Sequence, residues 1–402
     1  MSDGKGPPVL EGVRVLDLTH YEAGPTCTLI LAFLGAEVIK VESPTKDKSD
    51  RQRFNGEEDA KEDLYFVLMN LNKKSITLDI ATEEGRSLLL DLVEHCDVLV
   101  ENFRPAMMRK WTLKDEVLRR RNPRLIYASV SGYGSYGPYA AYPGLDMTAQ
   151  AVGGIMSITG EGDEPPIRCG ATIADSSGGA NLALGIVAAL YRREKTGKGM
   201  KVEVSLQDCA VNLGRSLLGT HIAYGSKAHK AGNRLKDVVP WNIYPTCDKG
   251  YVAVCVIPQR QFERLMQVIG QADLLRAHRL YSLPARKKNR QLIDEVVGAW
   301  VLRRTKREAM ARLCQNDIPC GAVLDSIEVS DDAHLREREM IVEIEHHQWG
   351  RIKVLGCPVK IADSPVEIKT SPKIGEHNRE VFARLLGLKD LDLQGLKARS
   401  II

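Results

Sequence analysis

Asp175 is the residue of this chain whose setting is best suited to covalent chemistry. It lies in a run of small residues, RCGATIADSSGG (168–179), and an apolar stretch at helical spacing follows over residues 180–191. This pattern predicts a helix that begins at Asp175. The carboxylate could cap that helix by accepting N–H groups of its first turn. Alternatively, because its neighbours are small, it could reach an acyl carbonyl as a nucleophile.

A second segment, near the N-terminus, could contribute to a ligand site. Residues 13–18 predict a strand, Pro25 predicts the first turn of a helix, and residues 36–41 predict the next strand. The loop inside this βαβ unit carries His20, Tyr21 and Glu22. Ligands of open α/β sheets bind beyond the carboxyl ends of the strands, where this loop lies. The loop has no GxGxxG motif, which argues against a nicotinamide or flavin cofactor.

Further strands alternate with helices along the first half of the chain. Residues 75–78, 97–100 and 125–130 are strand-like, and residues 83–95 have helical spacing. This alternation predicts an α/β fold with a Rossmann-like, mostly parallel sheet covered by helices on both faces. The charged segment 43–62 predicts an exposed loop.

The second half of the chain has a different pattern. Residues 242–246 and 251–256 predict a β-hairpin, and helical segments follow it. Strand-like segments and a helix return near the C-terminus. We therefore expect a discontinuous large domain, formed by residues 1–214 and 336–402, and a smaller α+β domain over residues 215–335.

Composition and charge restrict the class of protein. Of the 402 residues, 44% are hydrophobic and 27% charged, as in an ordinary globular protein large enough for two domains. A formal net charge of +4, without a basic stripe among aromatic residues, argues against nucleic-acid binding. No apolar run reaches the about 20 residues that span a bilayer, and the N-terminus lacks a signal-peptide pattern. We expect a cytoplasmic protein that does not enter membranes.

Nine cysteines are scattered along the chain, without a CxxC pair or the spacing of metal ligands. Cys314 and Cys320 are six positions apart. We expect buried free thiols in a reducing compartment. His346 and His347 are poorly placed to share a metal ion, because neighbouring residues of a strand point to opposite faces. The sequence therefore predicts no metal site.

Seven stretches, in order along the chain, form a recognisable pattern: LEGVRVLDLTHYEAGPTCTLILAFLGAEVIKVE (10–42), NLNKKSITLD (70–79), DVLVENFRP (97–105), NPRLIYASVSGYG (122–134), IADSSGGANLALGIVAALYRREKTGKGMKVEVSLQDCAVNL (173–213), NDIPCGAVLDSIEVSDD (316–332) and LGCPVKIADSP (355–365). They resemble the family III CoA-transferases, which are the CaiB/BaiF family that includes the formyl-CoA transferases. The resemblance covers essentially the whole chain.

The resemblance implies an acyl-CoA:carboxylate CoA-transferase, an enzyme that moves CoA from a donor thioester to a carboxylic acid. It implies that Asp175 is the nucleophile, which forms a mixed anhydride and then an enzyme-bound CoA thioester. CoA thioesters enter as substrates, and no tightly bound cofactor is implied. The ring-like chain topology of the family implies two interlocked chains in a homodimer.

The resemblance also assigns supporting residues. Glu22 falls where the family has a residue that orients the acyl group and the nucleophile. Tyr133 falls near the active site, where its phenol could donate to developing charge. Eight further residues fall on the implied CoA-binding surface: His20, Tyr21, Lys73, Lys74, Asn102, Phe103, Arg109 and Lys110.

The chain departs from the formyl-CoA transferase pattern at several positions. Glu22 replaces a glutamine, and an ionised carboxylate can only accept hydrogen bonds. The replacement puts a small dianionic acceptor such as oxalate in doubt. Ser43 replaces an adenine-contacting arginine, and Ser131 replaces a lysine. Residues 226–240 contain one glycine, Gly232, where formyl-CoA transferase has a glycine-rich loop.

Two alternatives remain open. The α-methylacyl-CoA racemase branch of the superfamily moves an α-proton with a histidine and an aspartate. Here Leu145 stands in the place of that histidine, and leucine exchanges no proton. Some relatives work as heteromers in which one chain lacks the nucleophile. Because this chain retains Asp175, it would be the catalytic subunit of such a complex.

Overall fold

The computed structural model describes residues 6–44, 51 and 61–402 of the chain. Its residues cluster into two compact units. The first takes its described residues from Met1–Met156, Arg168–Lys227 and Ala333–Ile402, and the second comprises Ser157–Ile167 and Ala228–Asp332. The expected exposed loop at 43–62 lies mostly outside the described residues.

Six parallel strands form the central sheet of the first unit. They are β1 (Arg14–Asp17), β2 (Glu37–Glu42), β3 (Lys74–Thr77), β4 (Val98–Glu101), β5 (Ile126–Ser131) and β6 (Lys201–Ser205). Their order in the sheet is β3-β2-β1-β4-β5-β6, so that β1 pairs with both β2 and β4. This is the strand order of the doubly wound Rossmann fold. The predicted α/β fold class is confirmed.

The strands are apolar on both faces of the sheet. On β1, Val15 and Leu16 are both fully buried, yet they belong to two different hydrophobic clusters. Successive side chains of a strand point to opposite faces, so a strand covered on both sides needs consecutive apolar residues. This requirement explains the unbroken apolar runs of the first half of the sequence.

Helices cover each face. The Val15 face packs against α1 (Ala23–Phe33), α8 (Ile173–Thr196) and α9 (Leu206–Leu213). The Leu16 face packs against α3 (Glu83–Glu94), α18 (Asn378–Leu386) and α19 (Asp390–Ala398). The first unit also contains α2 (Leu64–Met69), α4 (Pro105–Lys110), α5 (Asp115–Arg121), α6 (Asp146–Val152), α10 (Arg215–Tyr224) and α17 (Ala333–Glu337), and α7 (Ile155–Ile158) contains a chain junction between the units.

In the part of the chain that the structure describes, α8 is the one helix long and apolar enough to cross a membrane. Of its apolar window, 44% is buried inside the protein. Leu182 and Ile186 are fully buried in the cluster on the Val15 face. The packing of α8 against the sheet accounts for its apolar character.

The second unit is built on three antiparallel strands in the order β7-β8-β9. These are β7 (Trp241–Pro245), β8 (Tyr251–Cys255) and β9 (Cys320–Ala322), and the first two form the hairpin expected from the sequence. Val252, Val254 and Phe262 are fully buried in its core. Its helices are α11 (Gln259–Val268), α12 (Ala272–Ala277), α13 (Leu283–Lys288), α14 (Arg290–Val301), α15 (Lys306–Cys314) and α16 (Ser326–Ser330).

The boundaries of the units differ from those expected at 215 and 335. The second unit begins at Ala228, ends at Asp332 and also includes Ser157–Ile167. This short segment joins it through a bridge between Glu161 and Ala231. A contact between residues so far apart in the chain leaves no periodic signal in the sequence.

A hairpin of β10 (Ile341–His346) and β11 (Gly350–Leu355) belongs to the first unit. His346 ends β10, whereas His347 lies in the turn, and their ring centroids are 4.3 Å apart. The expectation that the two rings point to opposite faces is wrong, because the strand ends before His347. Both rings lie beside Glu62, within 3.5 and 3.7 Å of its oxygens.

The donors around His346 disfavour a metal ion between these rings. Its Nδ1 accepts the backbone N–H groups of Gln348 and Trp349. The ring proton therefore sits on Nε2, which faces Glu62 and has no lone pair to offer a metal. Arg51 also donates to Glu62, at 2.6 Å, and supplies a positive charge. The cluster is held together by hydrogen bonds and ion pairs.

A buried ion pair fixes the carboxyl end of β1. The Asp17 Oδ2 lies 3.0 Å from the Lys73 Nζ, and both side chains are fully buried. Burial acts to raise the pKa of Asp17, but the charges of Lys73 and Lys40 and the hydroxyl groups of Thr19 and Thr28 outweigh it and lower this pKa to about 2. Burial lowers the pKa of Lys73 to about 8. The pair ties the segment before β3 to the start of the β1–α1 loop.

We expect Lys73→Met to lower the free energy of unfolding by about 3–5 kcal/mol, because it leaves the buried Asp17 carboxylate without its main counter-charge. Urea unfolding followed by circular dichroism measures the loss. Lys74→Met is the matched control. Lys74 is partly exposed and pairs with Glu37 and Glu380, so its loss should be below about 1 kcal/mol. Equal losses for the two variants would contradict a stabilising role for the buried pair.

Candidate active site

The carboxyl ends of β1 and β4 lie side by side, where the order of the strands reverses and where open α/β sheets bind ligands. Asn102 follows β4. Its amide donates to the His20 carbonyl at 2.6 Å and accepts the His20 N–H at 2.8 Å. The Phe103 ring packs edge-on against the His20 ring, with centroids 5.2 Å apart. The two loops are thereby joined at the switch point of the sheet.

A cavity of about 590 Å³ opens beside these loops. The residues that line it include six of the predicted site residues: His20, Tyr21, Asn102, Phe103, Tyr133 and Asp175. Much of the remaining wall is apolar, with contributions from Met107, Val130 and Leu206. Its size is in the range of small-molecule sites.

Tyr21 has a strained backbone at this cavity. Its φ angle is 69°, in the left-handed region, and its side chain is 52% exposed. A non-glycine residue held there costs on the order of 1–3 kcal/mol, and such residues concentrate at functional sites. The strain lies in the loop between β1 and α1 that the sequence singled out.

Asp175 is the third residue of α8, so the helix begins two residues earlier than predicted. The N-cap is Thr172, whose side chain makes no capping hydrogen bond. The Asp175 carboxylate lines the cavity and has no hydrogen-bond partner among residues 6–44, 51 and 61–402. The interpretation of Asp175 as the helix cap is therefore wrong, and its carboxylate is available to a ligand.

The surroundings of Asp175 hold its pKa far above that of an ordinary aspartate. Burial is the largest cause, and the negative charges of Glu22 and Asp146 add to it, which raises the pKa to about 7. The positive end of the α8 dipole acts in the opposite direction. A carboxylate with such a pKa is partly ionised at neutral pH and is more basic than a solvated one.

Asp146 caps α8 from outside the helix. Its Oδ1 accepts the N–H of Ala174 at 2.8 Å and that of Asp175 at 3.3 Å, and Gln150 donates to its Oδ2 at 2.6 Å. The residue is buried. Sequence reasoning missed this role and used the segment only to place Leu145. The one available signal was an aspartate at the start of a short helix, which does not reveal which helix it caps.

Glu22 is buried, with 5% of its surface exposed, and is not among the residues lining the cavity. Its carboxylate accepts hydrogen bonds from the hydroxyl groups of Tyr65, Thr172 and Ser176. Thr172 and Ser176 are one helical turn apart, so both face Glu22. An acceptor-only group suits three hydroxyl donors. This geometry supports a role for Glu22 in positioning the first turn of α8.

The glycines after Asp175 are packing residues. Gly178 and Gly179 are buried in α8. A Cβ on Gly179 would lie 2.6 Å from the Ala23 carbonyl oxygen and 2.6 Å from the Thr26 Cβ, both in α1. A glycine inside a helix costs about 1 kcal/mol relative to alanine. The close approach of α8 to α1 requires it here and holds Asp175 near the loop that carries Glu22.

Tyr133 belongs to a cluster of aromatic rings at the cavity. Its ring lies edge-on to those of Tyr139 and Tyr142, at centroid distances of 5.8 and 6.3 Å. The neighbouring backbone is tightly packed, because a Cβ on Gly132 would lie 2.6 Å from the Gly144 Cα. These contacts fix the loop after β5 against the segment that leads to α6.

Lys73 and Lys74, which the resemblance assigns to the CoA-binding surface, do not line the 590 Å³ cavity. Lys73 is fully buried in its pair with Asp17 and has no face for a phosphate. Lys74 is the first residue of β3, the edge strand of the sheet, where it lies opposite Ile39 of β2. It pairs there with Glu37. The motif fixed their spacing in the chain but not the ion-pair partners of their side chains.

Arg109 and Lys110 end α4 and are exposed. Arg109 lines a second cavity of about 230 Å³, to which Lys201 also contributes and which shares Phe103 and Ser131 with the first. Lys110 lines neither of these two cavities. Ser131 therefore lies where the two cavities meet.

We expect Asp146→Ala to lower the free energy of unfolding by about 0.5–2 kcal/mol, because α8 loses its only side-chain cap within the described residues. Thermal or urea unfolding measures the change. Met147→Ala in the same short helix is the control, since Met147 is 55% exposed and should change stability by less than about 0.5 kcal/mol. Wild-type stability of Asp146→Ala would show that the cap is dispensable.

A family model described as CoA-transferase family III matches residues 10–378. Two curated relatives align over the full length. Formyl-CoA:oxalate CoA-transferase of Streptomyces avermitilis is 39% identical and covers 98% of this chain and 99% of its own. Succinyl-CoA–D-citramalate CoA-transferase of Chloroflexus aurantiacus is 36% identical and covers 100% of both chains.

Solved structures of related proteins are also similar to this chain. A CaiB/BaiF family protein from Brucella suis is 32% identical, with a TM-score of 0.83, over 94% of this chain and 100% of that chain. Rv3272 from Mycobacterium tuberculosis is 30% identical, with a TM-score of 0.80, over 93% of this chain and 99% of that chain. The predicted family resemblance is confirmed.

Proposed function

This chain belongs to CoA-transferase family III and is an acyl-CoA:carboxylate CoA-transferase, and we propose that it acts through covalent intermediates on Asp175. One observation carries the proposal. The Asp175 carboxylate lines the 590 Å³ cavity and has no hydrogen-bond partner among the described residues. A partly buried carboxylate without a hydrogen-bond donor costs free energy, and carboxyl groups with pKa values perturbed in this way are concentrated at functional sites.

The transfer proceeds in two symmetric stages. The Asp175 carboxylate attacks the carbonyl of the donor thioester, and CoA leaves as a thiolate. The thiolate attacks the Asp175 carbonyl of the resulting mixed anhydride, which releases the donor acid and leaves CoA bound to Asp175 as a thioester. The acceptor carboxylate attacks this thioester and again expels the thiolate. The thiolate then attacks the acceptor carbonyl of the second anhydride, which forms the product thioester and frees Asp175.

The environment of Asp175 suits this chemistry. Its raised pKa keeps the ionised form basic enough to attack a thioester while much of it remains ionised at neutral pH. The apolar residues Val130, Leu145 and Leu206 line the same cavity and limit access of water to the anhydrides. We propose that the Tyr133 phenol donates a hydrogen bond to the oxyanion that forms at the attacked carbonyl.

The substrates of this chain are inferred from its relatives, whose names give formyl-CoA with oxalate and succinyl-CoA with D-citramalate. We propose acyl-CoA donors and carboxylic acid acceptors of this general kind. His20, Tyr21, Asn102 and Phe103 line the cavity, which supports their predicted part in binding CoA. We propose that Arg109, which lines the second cavity, binds a phosphate of the same ligand.

We further propose that the active form is a cytoplasmic homodimer. Helix α10 has no buried residue within the chain, and its Ile222 and Tyr224 are 75% and 79% exposed. On α8, Leu184 and Tyr191 are 68% and 67% exposed. Apolar surface of this extent is typical of an interface between subunits.

Leu145 bears on the racemase alternative. Its side chain lines the cavity and is 65% exposed. A racemase needs an acid and a base on opposite faces of the α-carbon. A leucine in the place of the histidine used by the racemase branch favours transfer.

Asp175→Ala should abolish CoA transfer and leave the dissociation constant for CoA nearly unchanged, because the nucleophile is lost while the rest of the cavity remains. Turnover with a panel of CoA thioesters and acids, followed by mass spectrometry, measures the first quantity, and calorimetry the second. Hydroxylamine added with a donor thioester should inactivate the native protein by modifying Asp175. Turnover by Asp175→Ala above about a hundredth of the wild-type rate would exclude covalent catalysis by Asp175, because that loss corresponds to a barrier increase of only ~2.7 kcal/mol.

The first half-reaction should slow as the pH falls below about 7, because protonated Asp175 is not a nucleophile. Glu22→Gln removes a negative charge that helps to raise this pKa, so the acidic limb of the rate profile should move to lower pH. Tyr65→Phe is the matched control, since it removes a hydrogen bond to Glu22 but keeps the charge. Single-turnover release of the donor acid measures each limb. An unshifted limb in Glu22→Gln would contradict coupling between the two carboxylates.

A further inference from the structure

Two thiols of the second unit lie in contact. Cys314 ends α15 and Cys320 begins β9, and their Sγ atoms are 3.5 Å apart. A disulfide needs a separation of about 2.05 Å. The sulfur atoms therefore have to approach by roughly 1.5 Å, which lies within the range of side-chain rotation. The expectation from the sequence that the cysteines are buried is wrong for Cys314 and Cys247, which are exposed.

The backbone on each side holds the two cysteines in place. The Asp317 N–H bonds to the Cys314 carbonyl at 3.0 Å, which closes the end of α15. On the other side, β9 pairs with β8, with Cys320 opposite Val254. Between them, Ile318 is 1% exposed and anchors the connection in the core of the unit. The proximity of the thiols is therefore a property of packed elements rather than of a loose loop.

The two thiols differ in accessibility. Cys314 is exposed, whereas Cys320 is partly buried, and burial together with the neighbouring Cys314 thiol raises the pKa of Cys320 to about 12. The third thiol nearby is Cys255 on β8, whose N–H bonds to the Pro319 carbonyl. An external disulfide therefore reacts with Cys314 first. Cys320 is the nearest thiol that can attack the resulting mixed disulfide.

We propose that Cys314 and Cys320 form a modification site, an intramolecular disulfide produced by exchange with low-molecular-weight disulfides. The Cys314 thiolate attacks one sulfur of the reagent, RSSR, which forms a mixed disulfide and releases one RS⁻. The Cys320 thiol gives up its proton and attacks the Cys314 Sγ, which releases the second RS⁻. The two protein thiols are oxidised to one disulfide, and RSSR is reduced to two RSH.

The test treats the full-length protein with oxidised glutathione and follows intact mass and mapped peptides with time. The native protein should lose two hydrogen atoms and yield a linked Cys314–Cys320 peptide, after a transient glutathione adduct at Cys314. Because the second step needs the Cys320 thiolate, that adduct should resolve faster as the pH rises.

Three variants separate the steps. Cys320→Ser should hold the adduct stably on Cys314, and Cys314→Ser should leave Cys320 unmodified. Cys247→Ser removes the other exposed thiol and should still form the linked peptide. Unfolding midpoints equal to that of the reduced wild-type show that each variant is folded. A stable adduct on Cys314 in the wild-type, a Cys255–Cys320 linkage, or no reaction would each overturn the proposal.

Discussion

The buried ion pair between Asp17 and Lys73 is the interaction on which the β1–α1 loop depends. It fixes the end of β1, and Asp17 also accepts hydrogen bonds from Thr19 and Thr28 on either side of the following loop. That loop carries Glu22, whose carboxylate holds the first turn of α8 through Thr172. Asp175 is thus positioned by a chain of polar contacts that begins at the buried pair of Asp17 and Lys73 and ends at the partly buried Thr172.

The start of α8 shows how the fold maintains a basic carboxylate. Asp146 takes the capping role and leaves the Asp175 side chain to the cavity, while Glu22 binds hydroxyl groups of the same turn. Both neighbours are negatively charged, and with burial they raise the pKa of Asp175. The groups that position the nucleophile therefore also tune it. Repulsion among three carboxylates is tolerated because two of them are saturated by donors and the third faces a ligand site.

The site also depends on backbones that approach closely. Gly179 lets α8 contact α1, and Gly132 meets Gly144 beside Tyr133. Each contact joins segments that carry different parts of the cavity. A side chain at Gly179 would push α8 away from α1, and one at Gly132 would push the loop after β5 away from the segment before α6.

The sequence by itself determined the family, the alternation that builds a parallel sheet, and the importance of Asp175 and of the loop at His20. Ordered motifs, strand periodicity and the start of a helix are patterns of residues close together in the chain, so they can be recognised from the sequence. Tertiary structure alone decided that Asp146 caps α8, that Lys73 pairs with Asp17, and that Lys74 pairs with Glu37 and Glu380. These partners are tens of residues apart in the chain, so only the packing of strands and helices determines which charged side chains form a pair.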